Sequence, residues 1–363
     1  MSATMVFDSE TVPHLSQQRP EAPWGRRTSK FRMIVILAIL LPAVVVTLLF
    51  FYSTIPGPII MIAIYLPLQL IAAGLAATAV RGKKAAGDAL IIVFSIGATI
   101  FSLVVLISVL WSLVSKGLPA ISPQFIFFSN EYISPSTPLE YGGIGHAIVG
   151  TFLIVAIATI LAVPLGVATA VYITEVRGRA VPYVRFFVQA MSGVPSVVAG
   201  LFILTVFILT GVLQTSGFAA GLAYAILMLP TVARTAEEVL RLVPDELRTG
   251  ALALGSTRAR VVAQVVLPAA KTGIITATIL GIARVVGETA PLLLTALKND
   301  KTVLNPFIDP ISALPTYIFE NVAQPYPDAV TRAWGAALTL MVIVAVLFTL
   351  TRMLSSRSVG KKR

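Results

Sequence analysis

Eight stretches of this sequence are apolar over about the length of a membrane-spanning helix: 33–53, 57–80, 89–115, 145–174, 185–212, 217–234, 271–297 and 333–352. About 20 consecutive apolar residues match the hydrocarbon thickness of a bilayer. In hydrocarbon a chain must satisfy its own backbone polar groups, so a segment of this length is a helix. The expected fold class is all-α, a polytopic transmembrane helix bundle. Pro164, Gly193 and Pro195 lie inside these runs, which neighbouring helices tolerate by re-satisfying freed backbone groups. Composition agrees: 57% of the chain is hydrophobic and 12% is charged, against about 25% charged in soluble domains.

Positive charge orients the bundle. Of the 27 Lys and Arg, 22 fall in or beside segments 1–32, 81–88, 175–184, 235–270 and 353–363, four fall in the alternating set of loops, and Arg284 lies within a span. Basic residues concentrate on the cytoplasmic side, so both termini are expected there. The net charge of +11 is spread between apolar runs, which suits a lipid bilayer and no nucleic acid. Residues 1–32 read as a disordered polar tail, 33–80 as an N-terminal helical hairpin and 354–363 as a basic tail. The first apolar run lacks a small-residue cleavage site, so an anchor is expected there instead of a removed signal peptide. With no cysteine, disulfides, thiolate metal sites and cysteine nucleophiles are excluded, and with two histidines a His-based metal site is not expected.

The cytoplasmic segment 235–270 is long, mixed in charge and helical in pattern. Arg234 with Glu238, and Glu237 with Arg241, have the i,i+4 spacing of helix ion pairs. Pro244 ends that helix or starts the next. A short helix is expected over 245–254, with an apolar face of Leu247, Ala251 and Leu254. Gly255 then suits a left-handed turn, and Ser256 an N-cap for a helix through Val266 before Pro268 re-enters the membrane.

Thr249-Gly250-Ala251, then Gly255, then Val265-Val266-Leu267-Pro268 resemble the EAA loop of ABC importer permeases. Its spacing is EAA, three residues, Gly, nine residues and Ile-x-Leu-Pro. Thr249 stands where that family usually has Glu. The resemblance implies that Asp245, Leu247, Thr249, Gly250, Ala251, Leu254, Gly255, Leu267 and Pro268 couple the chain to an ATPase subunit. No GxxxxGK[ST] motif occurs, so the chain has no P-loop to cradle nucleotide phosphates. It is expected not to be an enzyme, with ATP and Mg on the partner and no cofactor of its own.

The run 271–297 holds the one charged pair within a span. If it is one helix, Ala277, Gly281, Arg284, Glu288, Pro291 and Thr295 form a single narrow stripe. A charge at the bilayer centre costs about 2.5–3.5 kcal/mol on insertion scales, so Arg284 is expected to face protein or water. Two readings stand. Arg284 and Glu288 either lock two helices together, or they line a path with Gly281 and Thr295 in which the guanidinium meets an oxyanion.

Arg284 to Leu293 reads RVVGETAPLL and resembles the RAxGETAPLL signature of the PstA family of phosphate permease subunits. Gly193 to Phe202 is similar to its GxPSxxxGLF element. Tyr141 to Thr151 is similar to its GGIGNAIVGT element, with His146 in place of Asn. Ala290-Pro291 favours this family over the sister PstC family, whose signature continues with Met-Ala. The resemblance covers about residues 89–353, a six-helix core. It implies pairing with a homologous PstC-like permease, two PstB-like ATPase subunits and an external PstS-like phosphate-binding protein. Its rivals are a permease for sulfate or molybdate, an ion-coupled secondary transporter and a membrane scaffold. The acidic residues of 116–144 and 298–332 either dock the binding protein or form solvated loops. Lys298, Lys301 and Arg332 are candidates for drawing an anion to the entrance.

Overall fold

The structure, a computed structural model, describes residues 29–53, 57, 60–81, 83–176 and 178–360. Among these every regular element is a helix and none is a strand. Six helices are long and apolar enough to cross a membrane, a bent helix pair supplies a seventh span, and Leu66–Ala79 is a shorter apolar helix. The fold is an all-α transmembrane bundle. Residues 1–28 of the expected tail lie outside the described residues.

The chain divides into two compact units, Met1–Ser108 and Val109–Arg363. In the first, α1 (Ser29–Tyr52) packs on α2 (Leu66–Arg81), and Gln69 Nε2 donates to the Ala38 carbonyl at 3.3 Å. The boundary falls within α3 (Lys83–Gly117). Leu40, Leu48, Ile92 and Phe101 of this unit are exposed, as suits helices whose solvent is lipid.

The second unit holds α4 (Pro123–Phe127), α5 (Gly145–Val171), α6 (Val181–Ser192), α7 (Ser196–Ile203) and α8 (Gly217–Arg241), then α9 (Asp245–Ala253), α10 (Arg258–Val261), α11 (Leu267–Val285), α12 (Ala290–Thr295), α13 (Leu314–Val322) and α14 (Pro327–Gly360). The last helix begins earlier and runs further than hydropathy suggests. Two expected spans are not single helices. The run 185–212 bends by 102° between α6 and α7, where Gly193 and Val194 leave the helix and Pro195 caps the next. The run 271–297 stops at Val285 and restarts at Ala290. In a continuous helix Pro291 has no N–H for the Gly287 carbonyl and its ring would strike that group.

Helix α8 is the most enclosed span, with α5 and α11 as its main neighbours. Lipid offers no hydrophobic drive for helix association, so close packing of small residues does the work. A Cβ on Gly166 or Gly221 of α5 and α8 would lie 2.9 Å from Val232 or 2.5 Å from Ile157. On α11, a Cβ on Gly273 would sit 2.2 Å from Val239 and one on Gly281 would sit 2.8 Å from Val232. These glycines let the backbones of α5 and α11 close on the central helix α8.

Candidate functional site

The break between α11 and α12 decides where the interior charges point. Arg284 is exposed near the end of α11, whereas Glu288 is half-buried in the turn beyond it, its N–H donating to the Val285 carbonyl at 3.0 Å. The two do not share a helical face and form no ion pair among the described residues. The expected continuous stripe therefore ends at Arg284. Gly281 is buried against Met228 and Val232. Thr295 is also buried, its hydroxyl donating to the Pro291 carbonyl at 2.8 Å. What stays open is Arg284 with Gly287, which has nothing within 4 Å of an added Cβ. The Glu288 carbonyl, freed by the break, accepts from the hydroxyl of Tyr224 on α8. Gly200 of α7 packs against Pro291 at the start of α12, so two of the sequence elements quoted above meet here.

On the cytoplasmic side expected from charge, α9 is a short helix with no buried residue. Leu242, Leu247, Leu252 and Leu254 are all exposed, Leu254 to 88%. Ala251 alone of the expected apolar face turns inward, onto a cluster with Leu240, Val261 and Val266. Asp245 and Glu246 sit in the first turn, where the helix dipole favours anions. The Thr249 hydroxyl donates back to the Asp245 carbonyl at 3.1 Å. Gly255 has φ +82°, the left-handed conformation expected of it. The next N-cap is Thr257, one residue later than expected, accepting from the Arg260 N–H. Leu267 and Pro268 do not mark a break: helix continues from Arg258 to Val285. A wider π turn over Val262–Val266 precedes Pro268, with the Leu267 N–H donating to the Val262 carbonyl, and this accommodates the proline's missing donor. Glu237 pairs with Arg241 at 2.5 Å, as its spacing predicts, and with Arg185 at 3.1 Å. Arg234 and Glu238 form no such pair.

The family model for the binding-protein-dependent transport system inner membrane component matches residues 162–359, more than half of the chain. The chain belongs to that family. Three relatives of this inner membrane component carry phosphate transport system permease names. PstA 1 of Mycobacterium tuberculosis is 39% identical over 250 residues, spanning 68% of this chain and 82% of the relative. PstA of Mycobacterium leprae is 40% identical over 250 residues, 67% and 81% of the two chains. PstA of Haemophilus influenzae is 38% identical over 245 residues, 66% and 84%. A solved inward-facing MetNI methionine ABC transporter is 17% identical, covering 59% of this chain and 94% of that one, with a TM-score of 0.46.

On the opposite face of this inner membrane component, the acidic loop residues are partly ion-paired. Lys301 reaches Glu131 at 3.0 Å and Lys298 reaches Asp300 at 3.1 Å. The hydrogen bond with Lys301 holds the Glu131 carboxyl below its usual range. Arg332 is not at an entrance: it is 1% exposed, and Nη2 donates to the carbonyls of Thr137 (2.6 Å) and Pro138 (2.7 Å). It staples the loop before α5 to α14. His146 is likewise buried at 2% exposure, with its ring edge-on to Tyr317 at 5.7 Å.

Sequence reasoning passed over Arg248, the most extensively hydrogen-bonded side chain among the described residues. Its Nη2 lies 2.9 Å from Glu175 Oε1, and Nη1 lies 2.9 Å from Asp245 Oδ1. The hydrogen bond to Glu175 is the main reason that the Arg248 pKa is raised. The i,i+3 spacing of Asp245 and Arg248 was visible in the sequence. The partner 73 residues away was not.

Proposed function

We propose that this chain is the permease subunit of an ATP-driven importer for inorganic phosphate. One observation carries the reading: relatives named as phosphate transport permeases are 38–40% identical over about two-thirds of the chain. The chain lines the translocation path together with a homologous permease. An external binding protein delivers phosphate, and two ATPase subunits, which hold ATP and Mg, supply the energy. Both termini and α9 face the cytoplasm, supported by the concentration of Lys and Arg there.

Helix α9 supplies the docking surface, supported by its exposed leucines and by the left-handed Gly255 that turns the chain back to the membrane. ATP-driven closure of the ATPases moves α9, and the attached spans shift so that the path changes the side on which it opens. Arg284, with Glu288 four residues on, lines the path, supported by its exposure at the end of α11 without an ion pair among the described residues, which leaves the guanidinium open to an anion. Gly281 and Thr295 shape the same region by close packing.

Reconstitution of the chain with the partner permease, the ATPases and the binding protein tests the reading. ATP-dependent phosphate uptake that excess sulfate and molybdate fail to inhibit is expected. Uptake without ATPase subunits, or preferential uptake of another oxyanion, overturns it.

A further inference from the structure

Very little apolar packing holds α9 to the rest of its unit. None of its residues is buried, and cavities flank it on two sides. One, of about 340 Å³, is lined by Glu175, Arg248, Thr249, Leu252 and Arg258. The other, of about 360 Å³, is lined by Thr174, Arg185, Arg241 and Arg248. Asp245 and Arg248, which are paired with each other, line both.

All three guanidinium nitrogens of Arg248 are engaged. Nε donates to both carboxylate oxygens of Glu175, at 3.2 and 3.3 Å, and Nη2 to Oε1 at 2.9 Å. Nη2 also donates to the Leu240 carbonyl at 2.8 Å. Nη1 donates to the Val243 carbonyl at 2.5 Å and to Asp245 at 2.9 Å. The side chains of Arg248 and Glu175 are 15% and 12% exposed, so water competes little for this pair. Arginine makes such a junction because its planar fork grips a carboxylate and still has donors for carbonyls.

The junction joins elements that the backbone leaves apart. The chain links α9 to α8 through Leu242 to Pro244, and to α11 through Gly255 and the π turn. Glu175 lies instead in the π turn Tyr172–Val176 that ends α5. Such turns are rare overall and frequently lie at functional sites. Glu175 and Arg248 are 73 residues apart along the chain, yet Arg248 holds the turn that ends α5 directly.

We infer that Arg248 and Glu175 are a positioning pair that ties the coupling helix to α5, so that displacement of α9 pulls α5 together with α8 and α11. This rests on the reading of α9 as the ATPase-docking helix. Without the tether, α9 moves with its partner while α5 lags, and ATP is consumed without a matching movement of solute.

The test is phosphate moved per ATP hydrolysed by the full complex in proteoliposomes. Glu175→Gln should keep the ATPases bound on co-purification and lower the ratio tenfold or more. Arg248→Lys, which retains charge but not the fork, should give an intermediate ratio. The chain has no native cysteine, so a Glu175→Cys/Arg248→Cys double variant can be bridged by a short thiol cross-linker. Bridging should restore the ratio, because a tether needs connection and not charge. A wild-type ratio in Glu175→Gln overturns the inference, as does loss of ATPase binding that bridging does not repair. Failure of the wild-type complex to move phosphate sinks the functional reading instead.

Discussion

Gly200 of α7 and Pro291 of α12 touch through their backbones: a Cβ built on Gly200 would lie 2.6 Å from the Pro291 Cα and 3.1 Å from its carbonyl oxygen. The obstacle is backbone at the start of a helix and not the flexible end of a side chain. Gly200→Ala must therefore displace α7 or α12, with an overpacking cost of about 1–3 kcal/mol. A lower melting temperature of the detergent-purified chain checks this. Phosphate uptake should fall as well, because α12 follows directly on the turn after Arg284. An unchanged melting temperature would mean that the two helices do not meet this closely.

A second contact secures the same break from the other side. Tyr224 is 1% exposed and gives its hydroxyl to the Glu288 carbonyl. Tyr224→Phe keeps the ring and removes that one donor, leaving a part-buried backbone acceptor without its partner. The expected loss is about 1–3 kcal/mol, read as a fall in melting temperature. Trypsin cleavage after Arg284 should quicken in parallel, as the turn at 286–289 loosens.

How much could be read in advance depended on whether a signal was local. Span positions follow from runs of apolar residues, and the left-handed turn at Gly255 follows from its place between two short helices. Pro291 is legible as a residue, but the run 271–297 reads as one helix because hydropathy does not register a break that remains apolar on both sides. The same blindness hid the 102° bend between α6 and α7. Arg248 in α9 and Glu175 in the π turn ending α5 are 73 residues apart, and only tertiary packing brings them together. Arg332 failed in the opposite sense: a basic residue in an external segment suggests exposure, whereas three backbone carbonyls, those of Thr137, Pro138 and Tyr141, draw it inside.

The turn after α9 gives a prediction independent of the membrane interior. Gly255 has φ +82° with nothing within 4 Å of an added Cβ, so space is not what limits substitution. Gly255→Ala incurs the left-handed penalty of about 1–2 kcal/mol without a clash. It should weaken ATPase co-purification modestly. Gly255→Pro fixes φ near −65° and cannot form the turn at all. It should abolish co-purification while the chain still inserts into the membrane. Equal behaviour of the two variants would show that the turn's conformation does not matter to docking.

Arg284 distinguishes a transport path from a structural lock. A lock would need a partner within the bundle, yet Arg284 is exposed and forms no ion pair with Glu288. Arg284→Ala should therefore cost the isolated chain little stability and leave ATPase co-purification intact. Phosphate uptake should drop about a hundredfold or more, since the oxyanion loses its counter-charge and its two-pronged donor on the path. Arg284→Lys retains the charge but presents a single ammonium instead of a two-pronged donor, and should recover part of the rate. Glu288→Gln should lower the phosphate concentration needed for half-maximal uptake, because the nearby negative charge no longer opposes the anion. If Arg284→Ala instead lowers the melting temperature and disperses the complex while Arg284→Lys restores both, the guanidinium is holding helices together and the path lies elsewhere.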